Sequence, residues 1–144
     1  MRARLAFLVS LLSVGFGVGA FAETPAAYVI IVNPGNPQPA ASRKFLREAF
    51  LKKTTRWQDG EVIRPVDQDP DSAVRRQFSD EILNRSVTAV RSYWQQVIFS
   101  GRDVPPPELS SDAEVVGYVQ KNAGAVGYIS KSANSNGVKV IAVQ

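Results

Sequence analysis

The residues best placed to do chemistry lie in the run Asp67-Gln68-Asp69-Pro70-Asp71-Ser72-Ala73-Val74-Arg75. A polar loop there leads into an apolar-periodic segment, so Ser72 or Asp71 caps a helix whose first N–H groups are free. Free N–H groups at the positive end of a helix dipole attract an anion. Ser72 would add a hydroxyl, Ala73 and Val74 their backbone N–H groups, and Arg75 a charge. The same residues equally make a capped helix that binds nothing. Asp67, Asp69 and Asp71 oppose an anion, because three nearby carboxylates make the local potential negative. Their spacing opens like a calcium loop. The sixth and twelfth positions of such a loop want Gly and Glu, however, and here hold Ser72 and Phe78, with Pro70 interrupting. A second feature, Gly124-Ala125-Val126-Gly127-Tyr128, places small residues before and inside a short strand, where they permit close backbone approach.

Absent residue types narrow the function. The 144-residue chain has no His and no Cys. That removes the commonest general base, and zinc or copper would need carboxylates alone. No G-x-S-x-G or G-x-x-x-x-G-K-[ST] occurs. A non-enzymatic protein without cofactor or metal is expected. The formal charge of +4 falls to +2 once Arg2 and Arg4 are set aside, and no basic run suggests nucleic acid.

The N-terminus has the three parts of a secretory signal peptide. Met1 to Arg4 is basic, Leu5 to Ala20 is apolar or small, and Ala20-Phe21-Ala22 is an A-x-A site, so cleavage is expected between Ala22 and Glu23. Residues 1–22 are then the signal peptide. Residues 23–144 are one exported, periplasmic domain with no further membrane span, and with no disulfide its stability must come from packing.

Several elements must position the candidate loop. Ala27 to Val32 reads as a buried strand, and Ser42 caps a helix to about Lys53 with Phe45, Leu46, Ala49 and Phe50 on one face. Asp59-Gly60 is a turn, and Glu61 to Val66 a short strand. Helices are predicted from Ser72 to about Asn84 and from Val87 to Phe99. Three prolines make Asp103 to Glu108 a stiff extended connector. Ser111-x-x-Glu114 fits a capping box for a helix to about Asn122, stopping at Gly124. Ala125 to Ile129 and Val138 to Val143 are predicted buried strands, the last one neighbouring the first. The predicted fold is α/β, a small mixed sheet flanked by helices. The predicted core is Val29, Ile31, Phe45, Phe50, Trp57, Phe78, Ile82, Trp94, Val97, Val119, Val126 and Ile129.

Four stretches, in order, resemble the phosphate-type periplasmic solute-binding proteins of ABC importers. Ile30 to Pro34 with Asn36-Pro37 resembles the strand that crosses between their lobes. Phe50 to Lys53 with Thr55-Arg56-Trp57 and Asp59 resembles "F-L-G-K-I-x-x-W-x-D". Ile63 to Val66 with Ser72 to Arg75 and Phe78 resembles "I-x-P-V … S-G-T-R-x-x-F", the anion loop. Gly124 to Ser130 resembles "G-A-I-G-Y-v-s". The resemblance implies the second lobe, plus hinge strands, of a type II solute-binding fold. It also implies oxyanion (phosphate) contact at Ser72, Ala73, Val74 and Arg75, and an ABC permease or another envelope protein as partner. The family's Gly and Thr are Ala73 and Val74 here, its Arg four residues before the Ser is Gln68, and the Gly of "F-L-G-K" is Lys52. Losing a charged donor and a hydroxyl weakens binding by about 2–5 kcal/mol, so phosphate contact is expected to be weak. The other reading is a single-lobe interaction or sensory module that has lost its ligand.

Overall fold

The computed structural model describes Gly19 and residues 27–144. The expected signal peptide and its cleavage point at Ala22 and Glu23 therefore lie outside the described residues. The fold is built around the apolar run Tyr28–Val32, strand β1. It is an interior strand, and its alternate side chains are buried on both faces, as a near-continuous β-branched run requires. β1 pairs antiparallel with Ala125–Ser130 (β6), Ile30 opposite Tyr128, and with Lys139–Val143 (β7), Ile30 opposite Ile141. Two short parallel strands complete the sheet. Ala40–Ala41 (β2) lies outside β7, and Arg64–Pro65 (β3) outside β6, giving the order β2-β7-β1-β6-β3. The α/β class, the mixed sheet and the adjacency of first and last strands are as expected.

One face of the sheet carries the helices Arg43–Phe50 (α1), Ala73–Phe78 (α2) and Val87–Phe99 (α3). Its core joins Tyr28, Ile30, Val126 and Tyr128 to Leu46, Phe50, Trp57, Phe78, Ile82, Trp94 and Val97. The other face packs on Asp112–Lys121 (α4) through Ile31, Val66, Val115, Val119, Ala125 and Ile129. Each helix starts where the sequence supplies a hydroxyl. Ser42, Ser72, Ser86 and Ser111 each accept the N–H of the residue three positions on.

The structure also corrects several sequence expectations. α1 stops at Phe50 rather than Lys53, because the chain turns through a left-handed Lys52 (φ 54°). The helix from Ser72 changes form. Its α-helical part ends at Phe78, and Ser79–Leu83 is a π-helical turn closed by left-handed Asn84. That turn buries Ser79, Ile82 and Leu83 together. The strand over Glu61–Val66 shrinks to Arg64–Pro65, and Val62 instead bridges Arg56 across the Asp59-Gly60 turn. Pro65 has no N–H and is tolerated because β3 is an edge strand. β7 was expected to be buried, yet only Ile141 is; Val140 is 48% and Val143 37% exposed. A two-residue neighbour and a helix packed over β1 and β6 leave that end of the sheet open. Val29 and Phe45 are only partly buried. The capping box is shifted by one residue: Glu114 accepts from the N–H of Ser110, at 2.8 Å, rather than from that of Ser111.

Gly127 shows how tightly α4 sits. A Cβ there would lie 2.8 Å from Val115 Cγ1 and 2.9 Å from Val66 Cγ1. Gly127→Ala is therefore expected to destabilise the domain by about 1–3 kcal/mol through overpacking, measured as a lower denaturant midpoint with an unchanged slope.

Candidate functional site

The candidate loop is framed by a second, two-stranded parallel sheet. Asp67–Gln68 (β4) pairs with Glu108–Leu109 (β5), the end of the proline connector. Spacing along the chain does not reveal this pairing, because the two segments are about 40 residues apart. Asp67 and Gln68 are buried beside β6, and α2 follows from Ser72.

The side chains that would meet an anion have partners within the protein. Ser72 Oγ accepts the N–H of Arg75 at 3.2 Å, capping the helix. Arg75 is 2% exposed. Its Nη1 donates to the Gln68 carbonyl at 2.7 Å and to Glu108 Oε2 at 3.2 Å. Its Nε lies 3.3 Å from Asp67 Oδ1, an ion-pair distance without hydrogen-bond geometry. Glu108 alone balances the Arg75 charge, and Asp67 adds a second carboxylate. Asp69 turns inward on its own loop and accepts the N–H of Asp71 at 2.8 Å. The loop is thus richer in carboxylates than in free guanidinium groups. Among the described residues no three acidic side chains gather in a way that would hold a metal ion, and the Asp67 carboxylate is engaged by Arg75 and the Tyr128 hydroxyl.

Gln68 does a structural job as well. Its Nε2 donates to the Tyr128 carbonyl at 2.8 Å and to Asp112 Oδ1 at 2.9 Å. Asp112 also accepts the N–H of Ser130, so the start of α4 is tied to β4 and β6 together. The Tyr128 hydroxyl donates to Asp67 and accepts the N–H of Gln68. The Tyr128 ring stacks on Phe78 at 3.9 Å and 8°. Tyr128, Glu108 and Asp112 were not singled out from sequence as site residues. The available signal was that a tyrosine in a buried strand must find a partner for its hydroxyl. Nothing local pointed to Glu108, whose role depends on where the proline connector lands.

Electrostatics follow from this burial. Removal from water raises the Asp67 carboxyl above its ordinary value, opposed by Arg75 and by the Tyr128 hydrogen bond. Burial, then the Asp67 charge, raises the Tyr128 phenol well above its usual range. Burial also raises Tyr28, whose hydroxyl donates to Glu81 at 2.8 Å.

No family model and no curated protein matches the chain in sequence. Solved structures do match it in shape. An ABC-type phosphate transport receptor from Vibrio cholerae superposes with a TM-score of 0.64 and 21% identity, covering 81% of this chain and 46% of that one. PstS from Borrelia burgdorferi superposes with a TM-score of 0.64 and 16% identity, covering 82% and 47%. The fold is that of the phosphate-type solute-binding proteins. The chain spans less than half the length of these receptors. At such identity the likeness establishes the solute-binding fold, and the chemistry has to be read from the site itself.

Two outcomes follow from the buried network. Arg75→Met leaves Asp67 buried without a cation, with an expected cost of about 3–5 kcal/mol. Asp67→Asn leaves Arg75 paired with Glu108 and should cost clearly less; equal losses in chemical denaturation would contradict this reading. The tyrosines set an alkaline limit. Both are raised in the folded state, so their contribution is fully present below about pH 10 and is lost as pH rises further. Tyrosinate absorbance from Tyr28 and Tyr128 should therefore appear together with unfolding rather than before it.

Proposed function

We propose that this chain is an extracytoplasmic, non-enzymatic domain of the phosphate-receptor solute-binding fold whose Ser72–Arg75 loop has become structural. The domain acts by engaging a protein partner in the envelope, of which an importer permease is one kind. The observation that carries this is Arg75, which is buried and shared between Glu108, Asp67 and the Gln68 carbonyl. An incoming phosphate would have to displace a carboxylate from a guanidinium already desolvated around it. It would also approach Asp69 and Asp71, carboxylates that repel it. What remains for an oxyanion is the Ser72 hydroxyl, already used as a cap, and the first N–H groups of a six-residue helix. Contact there is weak at most. The N-terminal sequence supports export with residues 1–22 removed and residues 23–144 as the working domain, and no helix among the described residues is long and apolar enough to cross a membrane.

Calorimetric titration with phosphate, then sulfate, tests this. The expected result is no saturable heat up to about millimolar anion, a concentration at which even a 4 kcal/mol interaction would register. Saturable phosphate binding that weakens in Ser72→Ala and Arg75→Lys variants, with both still folded, would show instead that the loop is a working receptor site.

A further inference from the structure

The C-terminal end of α3 carries the most exposed large apolar side chain among the described residues. Phe99 is 93% exposed, and Ile98 beside it 52%. Val104, past the turn that follows, is 62% exposed. A single exposed apolar residue is ordinary, whereas a group of them marks a surface that something else covers.

The backbone under this tip is fixed and largely self-satisfied. Ser100 donates its N–H to the Gln96 carbonyl at 3.1 Å, Gly101 to that of Ile98 at 3.0 Å, and Arg102 to that of Val97 at 3.2 Å. Gly101 takes the left-handed φ of 68° that such a helix ending requires. Three carbonyls of the last turn are thus bonded internally, and apolar surroundings can approach the tip without stranding them.

The charges around the tip are unbalanced. The Tyr93 hydroxyl donates to the Leu51 carbonyl at 2.9 Å and holds the segment after α1 against α3. Lys53 Nζ then lies 6.0 Å, and the Arg85 guanidinium 5.0 Å, from the centre of the Tyr93 ring. Lys52 lies 3.4 Å from Asp103, and Arg102 donates its Nε to Ser100 Oγ at 2.8 Å. Lys53, Arg85 and Arg102 make no ion pair among the described residues. Four cations therefore stand here with the one carboxylate of Asp103. The neighbouring charges cancel more nearly. Lys44 pairs with Glu48 on α1. On the flank of Ile98, Arg75 and Arg91 share a cavity with Asp67 and Glu108, and Asp69 stands beyond Arg91.

We propose that this tip docks on an anionic lipid surface, with Phe99 entering between the headgroups and Lys52, Lys53, Arg85 and Arg102 meeting the lipid phosphates. A fluid bilayer accepts a protruding ring without a matching pocket, which a protein partner would have to supply. The excess of cations selects an anionic surface over a neutral one. One ring and a few cations make the attachment reversible. The surface is separate from the Ser72–Arg75 loop and does not depend on how that loop is used.

Co-sedimentation of the protein with vesicles tests this, comparing equal parts of phosphatidylglycerol and phosphatidylcholine with phosphatidylcholine alone. Binding is expected to the anionic vesicles only, and to fall several-fold as salt rises from about 20 mM to about 300 mM. Phe99→Ser should weaken it by about tenfold, because the ring no longer leaves water. Its circular dichroism should match the native protein, since that side chain is already exposed. Lys53→Gln combined with Arg102→Gln should weaken binding comparably. Phe99→Trp should keep binding and give indole emission that shifts to the blue and is quenched by brominated acyl chains. Trp57 and Trp94 are buried, so the added indole is read as the difference from the native protein. Absence of binding to the anionic vesicles would overturn the proposal, as would binding indifferent to Phe99→Ser, the result an apolar N-terminal segment would give. A dimer that forms without lipid and is abolished by Phe99→Ser would also overturn it, by assigning the tip to a second copy of the chain.

Discussion

The structure turns on the burial of Arg75. A guanidinium taken out of water needs partners, and the fold supplies groups from two other segments: hydrogen bonds at Nη1 and an ion-pair contact at Nε. The Gln68 carbonyl and Asp67 come from β4, and Glu108 from the end of the proline connector. Because those segments are far apart in sequence, the one side chain joins α2 to a two-stranded sheet. Tyr128 then couples that sheet to the main one through its hydroxyl on Asp67 and its ring on Phe78. Gln68 extends the same network to Asp112 and the start of α4. A set of polar side chains holds the small sheet in place without an extensive apolar interface of its own.

This arrangement bears directly on function. The loop keeps the outward form of an anion site, a capped helix start with a serine and an arginine. Its charge is already balanced internally. A buried donor bonded to a carbonyl and a carboxylate has little left to give a ligand, and four carboxylates at or near the loop shape the potential outside it. On the reading proposed above, a solute-binding fold keeps its shape while the Ser72–Arg75 loop serves to hold the domain together.

The uneven cover of the main sheet is the second physical constraint. β1 and β6 are packed on both faces, whereas β7 and β2 approach solvent. That end of the sheet combines an end strand with an open groove in which the partly buried Phe45 packs on the buried Trp57. The shortness of β2 and the proline before it restrain open-ended association, which a domain with free sheet edges must avoid.

Much of the framework could be read from the chain directly, because it depends on local periodicity and capping. Tyr28–Val32 and Ala125–Ser130 are apolar runs of strand length, and four serines start four helices three residues ahead of the N–H groups they accept. The α/β class and the nearness of the first and last strands follow from those elements. The π-helical turn at Ser79–Leu83, the strands of two residues and the exposure of β7 did not follow, since each is set by neighbours distant in sequence. The same division runs through the site. Local sequence determined that Ser72 caps a helix and that Arg75 lies in its first turn. Only the tertiary structure decided that Arg75 points inward, because the carboxylates that hold it, Asp67 and Glu108, are brought together by strand pairing and not by spacing along the chain.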